Sequence, residues 1–199
     1  MSQRPEGKGE SAPAVWDVVG TSRDDSYRVF CIRTDRAISP RTGDEYDFFV
    51  LESTPWVNVI ALTEDERVIL VRQYRHGTRE VTLEIPGGLV ENNDSPLEAA
   101  HKELREETGF EASEWIDLGY VHPNPAIQSN VCHTFIARGA RKVGELDLDD
   151  KEDIVVDIRR LDDIPHIIKN GEITHALVLA AFYRFFMEYL PLAPGDNRP

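Results

Sequence analysis

The sequence is poor in positive charge and contains no long hydrophobic run. It has 22 Lys and Arg residues against 36 Asp and Glu residues, which gives a formal net charge of −14. Proteins that bind nucleic acid need a basic face to neutralise phosphates, so this balance argues against a nucleic-acid partner. No window approaches the roughly 20 apolar residues of a membrane-spanning helix. We therefore expect neither a nucleic acid nor a membrane among the partners.

Cysteine is also scarce, and the N-terminal stretch lacks an apolar segment. The two cysteines are Cys31 and Cys132, and their separation fits no metal-binding or redox motif. Two unpaired, buried thiols are typical of a reducing compartment. Residues 1–14 carry Pro, Gly, Ser and charged residues in place of the apolar core of a secretory signal. These absences predict a cytoplasmic protein.

The chain does contain the pattern of one α/β domain preceded by a small β unit. We expect tails at 1–13 and 191–199, an N-terminal β unit at 14–53 and a main domain at 54–190. In the main domain, nearly continuous apolar strands alternate with helical patterns, which predicts an α/β sandwich with helices on a mixed sheet. Strands are expected at 27–32, 46–51, 57–62, 68–71, 83–85, 116–121, 132–137 and 154–158, and helices at 96–108, 161–169 and 174–190.

The acidic residues are concentrated in two short segments. Residues 94–117 carry a net charge of −6 and residues 145–153 a net charge of −5, so 33 residues hold −11 of the −14. Acidic runs are commonly solvated surface, but grouped carboxylates also bind metal cations. Composition leaves both interpretations open.

The first acidic segment has the start and stop signals of a helix. Ser95 is a good N-cap residue, Pro96 suits the first helical position and Glu98 can complete a capping box. Gly109 supplies a C-terminal stop. These signals predict a helix over 96–108.

Three glutamates lie on one face of this predicted helix. Glu103, Glu106 and Glu107 have the i, i+3, i+4 spacing that brings side chains together. Like charges at this spacing destabilise an isolated helix, so they must face water or be compensated. Hard oxygen donors in such a cluster suit Mg²⁺ or Mn²⁺.

Residues 88–110 resemble the Nudix box, G-x5-E-x7-R-E-U-x-E-E-x-G-U, in which U is an aliphatic or bulky apolar residue. The matching positions are Gly88, Glu103, Leu104, Glu106, Glu107, Gly109 and Phe110. Asp94 stands where the box has Glu, and Lys102 stands where it has Arg. Asp is one methylene shorter than Glu, and Lys cannot form the two-pronged bond of Arg to a carboxylate. Both departures affect the support of the metal site and leave the three matching glutamates intact.

The resemblance implies a Nudix-type α/β/α sandwich and a metal cofactor. Mg²⁺, for which Mn²⁺ can substitute, is then expected on Glu103, Glu106, Glu107 and the backbone carbonyl of Gly87. Upstream, the sequences Val-Arg-Gln-Tyr-Arg at 71–75 and Leu-Glu-Ile-Pro-Gly-Gly at 83–88 look like those of the ADP-ribose and nucleoside-diphosphate-sugar pyrophosphatases. That group implies substrate binding by Arg75 and Glu84. A surface ion pair is the alternative for Arg75.

Two downstream segments also resemble this group. Pro123 and Pro125 match its proline loop, but the usual glycine is absent, which leaves specificity for ADP-ribose itself open. The acidic loop at 149–153 resembles the loop that carries a catalytic glutamate, and Glu152 is the match by its position before the strand. A solvated loop is the alternative.

The N-terminal β unit is similar in placement to strands through which these enzymes form homodimers and stack the nucleobase. Trp16, Tyr46, Phe48 and Trp56 are the candidates for stacking, with Tyr46 taken as the substrate-binding one. Each aromatic residue could instead be a core residue.

Together the resemblances imply hydrolysis of ADP-ribose or another nucleotide sugar to a nucleoside monophosphate and a sugar phosphate. Glu152 and Glu106 are the expected catalytic residues. Two alternatives are a house-cleaning hydrolase of non-standard nucleoside triphosphates or capped RNA ends, and a sensor of nucleotide sugars without turnover.

Overall fold

The computed structural model describes residues 15–27, 29–91 and 93–189 of the chain. The tails expected at 1–13 and 191–199 lie outside these residues. The chain divides into two compact units, one ending at Glu52 and one beginning at Ser53.

The N-terminal unit is an antiparallel sheet of three strands. Its strands are β1 (Asp17–Ser26), β2 (Cys31–Ile38) and β3 (Glu45–Glu52). The central strand is β2, which pairs with both neighbours. The β2–β3 ladder runs in unbroken register, whereas the β1–β2 ladder contains two register shifts.

Two features of this unit differ from the sequence-based expectation. The strand expected at 27–32 begins only at Cys31, because the preceding residues turn: the Tyr27 amide donates to the Phe30 carbonyl at 2.8 Å. The strand β1 was not predicted, since its sequence DVVGTSRDDS lacks apolar alternation. Pairing with β2 defines it, and such pairing leaves no mark in a hydrophobic pattern.

The second unit is built on a mixed sheet. Its strands are β4 (Trp56–Leu62), β5 (Arg67–Arg75), β6 (Glu80–Glu84), β8 (Glu114–Val121), β9 (Cys132–Arg138) and β11 (Ile154–Arg160). The order is β11-β5-β4-β9-β8, and β6 also pairs with β5. Strands β4 and β9 run parallel, and the other pairs are antiparallel. Two short strands, β7 (Phe110–Glu111) and β10 (Arg141–Lys142), pair separately.

Helices cover both faces of this sheet. They are α1 (Pro96–Thr108), α2 (Ile164–Lys169), which follows a 3-10 turn at Leu161–Asp163, and α3 (Ala176–Tyr189). One core joins α1 to alternate residues of β4 and β5, including Val59, Ala61 and Ile69. The other core joins α2 and α3 to the intervening residues, including Ile60, Val68 and Leu70. The predicted α/β sandwich with a mixed sheet is thereby confirmed.

The cysteines are unpaired, as expected. Cys132 is buried and Cys31 is half-buried, and neither forms a disulfide. Burial raises the pKa of the Cys132 thiol to about 12. None of the helices formed by the described residues is long and apolar enough to cross a membrane.

Candidate functional site

The helix α1 begins and ends where its sequence signals predict. The Ser95 side chain accepts a hydrogen bond from the Glu98 amide, and the Glu98 carboxylate accepts one from the Ser95 amide, so the capping box is complete. Gly109 ends the helix with φ +74°, in the left-handed region that favours glycine. These local signals fix where α1 begins and ends.

Two glycines bring the backbone after β6 close to β4 and α1. A Cβ on Gly87 would collide with the Val57 carbonyl of β4, and a Cβ on Gly88 would overlap the Glu103 carboxylate. The amides of Val57 and Gly88 also bond reciprocally to each other's carbonyls at 2.9 and 3.1 Å. The backbone of Gly87 and Gly88 therefore packs closely between the sheet and the helix, and we call this glycine pair the seat.

Two of the three glutamates predicted as metal ligands contact this glycine pair. The Glu103 carboxylate fills the space beside Gly88, and Glu107 accepts a 2.9 Å hydrogen bond from the Gly87 amide. Glu107 is 3% exposed. Glu106 lies one residue before it and is half-buried. The structure thus brings Gly87, Glu103 and Glu107 together, with Glu106 on the same end of the helix.

The electrostatics of the three glutamates are unfavourable. Burial, together with the nearby charges of Glu152 and Glu106, raises the pKa of Glu103 from 4.5 to about 7. Burial and the charge of Glu103 raise the pKa of Glu107 well above its usual value, although the Gly87 amide opposes this. Burial is also the main cause of the raised pKa of Glu106. Such a cluster is chemically suited to a hard divalent cation, which would offset the repulsion.

The charge of Glu152 reaches this cluster. Glu152 is exposed, and its carboxylate raises the pKa of each of the three glutamates. It also ties its own loop into a turn: the Glu152 amide donates to the Asp149 carbonyl at 2.9 Å, and the Asp149 amide donates to the Glu152 carboxylate at 3.1 Å. The structure therefore places the acidic loop within electrostatic range of α1.

The two predicted substrate-binding residues of the second unit are paired with each other. Arg75 donates to both carboxylate oxygens of Glu84, at 2.8 and 2.6 Å. Thr82 adds a 2.6 Å hydrogen bond to Glu84. Burial opposes the charge of Glu84, but the bonds from Arg75 and Thr82 outweigh it and lower the pKa of this carboxyl. Arg75 also acts on Glu107, because its charge lowers the pKa there.

Thr82 was not among the residues predicted from the sequence. It lies two residues before Glu84 on β6. Because successive side chains point to opposite faces of a strand, these two side chains lie on the same face. That i, i+2 spacing was the available signal. This spacing indicates a hydrogen bond between the two side chains only in combination with the burial of Glu84, which is 2% exposed.

Of the two departures from the Nudix box, Asp94 lies just before α1 and Lys102 lies in the middle of the helix. Lys102 donates to the Glu91 carboxylate at 2.9 Å in an exposed ion pair. The Asp94 amide donates to the Glu91 carbonyl at 3.0 Å, and the charge of Asp94 helps to raise the pKa of Lys102 after the larger effect of Glu91. Lys102 also lowers the pKa of Glu106. Lys102 therefore keeps a positive charge beside the site, but it makes one bond to a carboxylate where an arginine could make two.

The stacking candidates of the N-terminal unit form an exposed aromatic group. Trp16 meets Phe48 edge-to-face with ring centroids 5.2 Å apart, and Tyr46 at 6.2 Å. Tyr46 is 48% exposed. These rings line an open groove of about 610 Å³ with Ser39, Pro40, Arg41 and Asp47. The fourth candidate, Trp56, lies in the other unit on β4, where it bridges to Leu89.

Within the described residues, no group of three or more His, Cys, Asp or Glu side chains is arranged tightly enough to hold a metal ion. The donor chemistry nevertheless fits one, because the glutamates of α1 are oxygen donors whose charges are insufficiently compensated by Lys102 and Arg75.

Known proteins are similar to this chain over the segment that contains the candidate site. A family model described as the NUDIX domain matches residues 53–182. A methanol dehydrogenase activator from Bacillus methanolicus is 30% identical over 137 residues, which cover 68% of this chain and 71% of that protein.

Two similar proteins are named ADP-ribose pyrophosphatase. The one from Bacillus subtilis (strain 168) is 29% identical over 121 residues, covering 60% of this chain and 65% of the relative. The one from Mycobacterium tuberculosis (strain ATCC 25618 / H37Rv) is 27% identical over 154 residues, covering 76% and 74%.

The fold is also found in a solved structure. The crystal structure of an ADP compounds hydrolase superposes with a TM-score of 0.78, covering 92% of this chain and 100% of that one at 19% identity. At this identity the likeness concerns the fold. The family model, in contrast, spans more than half of the chain and includes α1 with its glutamates. The protein therefore belongs to the Nudix hydrolase family.

Proposed function

We propose that this protein is a pyrophosphohydrolase, dependent on Mg²⁺ or Mn²⁺, that cleaves the diphosphate of ADP-ribose or a related nucleoside diphosphate sugar. The observation that carries the proposal is the seating of Glu103 and Glu107 on Gly87 and Gly88, beside an arginine that can bind phosphate. The relatives named ADP-ribose pyrophosphatase support the substrate class.

Glu103, Glu106, Glu107 and the Gly87 carbonyl would hold the cation. When bound, the cation polarises the phosphoryl oxygens and lowers the pKa of a coordinated water. The fold holds Glu103 and Glu107 close together in spite of the repulsion between their charges. The Gly87 amide fixes one Glu107 oxygen, which orients the other one.

Glu152 is the proposed general base. A water oxygen bonds to one phosphorus of the diphosphate, and its proton passes to the Glu152 carboxylate. The bond from that phosphorus to the bridging oxygen breaks, and the second phosphate leaves with that oxygen. The products are a nucleoside monophosphate and a sugar phosphate. Exposure of Glu152 supports this assignment because a base must reach the water.

Arg75 is proposed to bind a substrate phosphate. A guanidinium carries five N–H donors, and Glu84 engages two of its nitrogens. The remaining donors can reach a phosphate oxygen, while the fixed pairing holds the guanidinium plane in one orientation. Glu84 would then act by holding Arg75.

We further propose that the protein is a cytoplasmic homodimer in which the N-terminal unit supplies both the interface and the stacking residue. Large apolar side chains are exposed on β3: Tyr46, Phe48 and Phe49. Exposed aromatic groups of this kind mark interaction surfaces. Tyr46 is the proposed partner of the nucleobase.

The function is tested by measuring monophosphate release from ADP-ribose, GDP-mannose and UDP-glucose, each with Mg²⁺ and with EDTA. We expect release from at least one sugar nucleotide only when Mg²⁺ is present. Parallel reactions with an oxidised nucleoside triphosphate and a capped RNA test the house-cleaning alternative. Turnover of those substrates alone, or binding of a sugar nucleotide without turnover, would overturn the proposal.

A further inference from the structure

The segment of residues 141–147, which we call the anchor segment, is bonded to the C-terminal end of α1. Its first residues form β10, which pairs with β7 directly after the helix. The amides of Val143 and Gly144 then donate to the Gly109 carbonyl at 2.9 and 3.2 Å. Finally the Asp147 amide donates to the Glu106 carbonyl at 2.9 Å. The anchor segment thus satisfies helix-terminal carbonyls that α1 cannot satisfy itself.

Arg105 strengthens this attachment from the helix side. Its guanidinium donates to the Glu145 carbonyl at 3.0 Å and lies 3.7 Å from the Glu111 carboxylate. Gly144 packs directly against it, since a Cβ on Gly144 would lie 2.5 Å from Nη2 of Arg105. On the other side, a Cβ on Gly109 would collide with the Gly144 carbonyl. Backbone and guanidinium are therefore in close contact, and a side chain at 144 would separate them.

The acidic loop that carries Glu152 begins where the anchor segment ends. Asp147 is bonded to Glu106, and β11 begins at Ile154, which is in register with Gln73 of β5. Residues 148–153 are held at these two points. Displacing Asp147 from Glu106 would therefore move Glu152 relative to the glutamates of α1.

From this geometry we propose that Arg105 is a positioning residue for Glu152, and that Gly144 is required because it gives the Arg105 guanidinium room to bind the Glu145 carbonyl. The proposal rests on the proposed function for its kinetic consequences. In this proposal Arg105 contacts neither the substrate nor the cation. It acts by fixing the anchor segment, and through it the acidic loop.

The kinetic test is a double-mutant cycle between Arg105→Ala and Glu152→Gln. We expect Arg105→Ala to lower kcat about 10-fold or more with little change in KM, because displacement of a catalytic group acts on the chemical step. In a Glu152→Gln background the same substitution should have almost no further effect. Equal effects of Arg105→Ala in both backgrounds would show a general structural role and overturn the proposal. Arg67→Ala, which removes an exposed arginine of β5 paired with Asp65, is the control.

Gly144→Ala provides the reciprocal test. The added methyl should push the guanidinium away and reproduce the loss of kcat seen for Arg105→Ala. In the Arg105→Ala background, where no guanidinium is present, Gly144→Ala should have no further effect. A further loss in that background would contradict the proposed contact.

A readout without turnover separates this proposal from the proposed function. Lys151 is exposed in the acidic loop, so trypsin cleavage after Lys151 reports how firmly the loop is held. Arg105→Ala and Gly144→Ala should accelerate that cleavage several-fold, and Arg67→Ala should not. If wild-type protein hydrolyses no sugar nucleotide but the variants are cleaved faster, the function fails and the anchoring stands. Unchanged cleavage in both variants would overturn the anchoring.

Discussion

The carboxylate of Glu103 occupies the space in which a Cβ on residue 88 would lie. A glycine before the helix and a glutamate within it are therefore two halves of one contact. The contact explains physically why the resemblance to the Nudix box requires both residues, although 15 positions separate them. It also ties the position of the carboxylate to the backbone of residues 86–90, which lies alongside β4.

Gly88→Ala should impair catalysis more than folding. The added methyl displaces the Glu103 carboxylate, and a shift of about 1 Å in a catalytic site can lower the rate 100-fold. We expect kcat/KM to fall at least about 10-fold. Gly77→Ala is the matched control, because a Cβ there meets nothing within 4 Å. Equal kcat/KM values for the two variants would contradict the seat described for Glu103.

The stability of the protein without divalent cations should fall between pH 4.5 and about 7. The folded state binds a proton at Glu103 more tightly than the unfolded chain does, because the pKa is raised from 4.5 to about 7. Stability is then highest below pH 4.5 for this group, decreases as Glu103 ionises and levels off above pH 7. The expected decrease is on the order of 1 to 3 kcal/mol. The charged groups that act on Glu103 are Glu152, Glu106, Lys102 and Glu91.

Urea unfolding across this pH range, in EDTA and in Mg²⁺, measures the effect. Mg²⁺ should restore stability above pH 7. Glu103→Gln should flatten the pH dependence in EDTA, weaken the response to Mg²⁺ and abolish turnover, while the fold is retained. Glu114→Gln, at an exposed glutamate of β8, is the control. A variant Glu103→Gln that keeps turnover would remove Glu103 from the proposed ligands.

Arg75→Ala should lower stability as well as activity. It leaves the Glu84 carboxylate, whose side chain is 3% exposed, without its ion-pair partner. Leaving this buried carboxylate without its partner costs up to about 3 kcal/mol. Adding Glu84→Gln to Arg75→Ala should recover part of the stability without recovering KM. Recovery of KM together with stability would show that Arg75 acts through folding alone and does not bind substrate.

Phe49→Glu should shift the protein from dimer to monomer. Phe49 is 66% exposed on β3, so a charge there is tolerated by the single chain but not by an apolar interface. Light scattering after size exclusion measures the mass. Glu45→Lys, on the same strand and also exposed, is the control for a simple change of charge. A wild-type protein that is already monomeric would contradict the proposed homodimer.

Local signals in the sequence were sufficient for the part of the fold that holds the glutamates. The helix over 96–108 was predicted at both ends, because N-cap, capping box and C-terminal glycine all act within a few residues. The apolar strands β4 and β5 were recognised because helices bury both of their faces. The polar strand β1 was missed for the opposite reason: its hydrogen-bond partner lies elsewhere in the chain.

The sequence by itself determined the fold class, the helix and its row of glutamates, since periodicity and capping are encoded in neighbouring residues. Only the tertiary structure decided which groups those glutamates meet. The contact of Gly88 with Glu103, the pairing of Arg75 with Glu84 and the contact of Arg105 with Gly144 join residues that are distant along the chain, and no periodicity or capping rule predicts these contacts. Such contacts depend on how strands and loops are packed in space. The burial that raises the pKa of Glu103 to about 7 therefore emerges only in the folded chain.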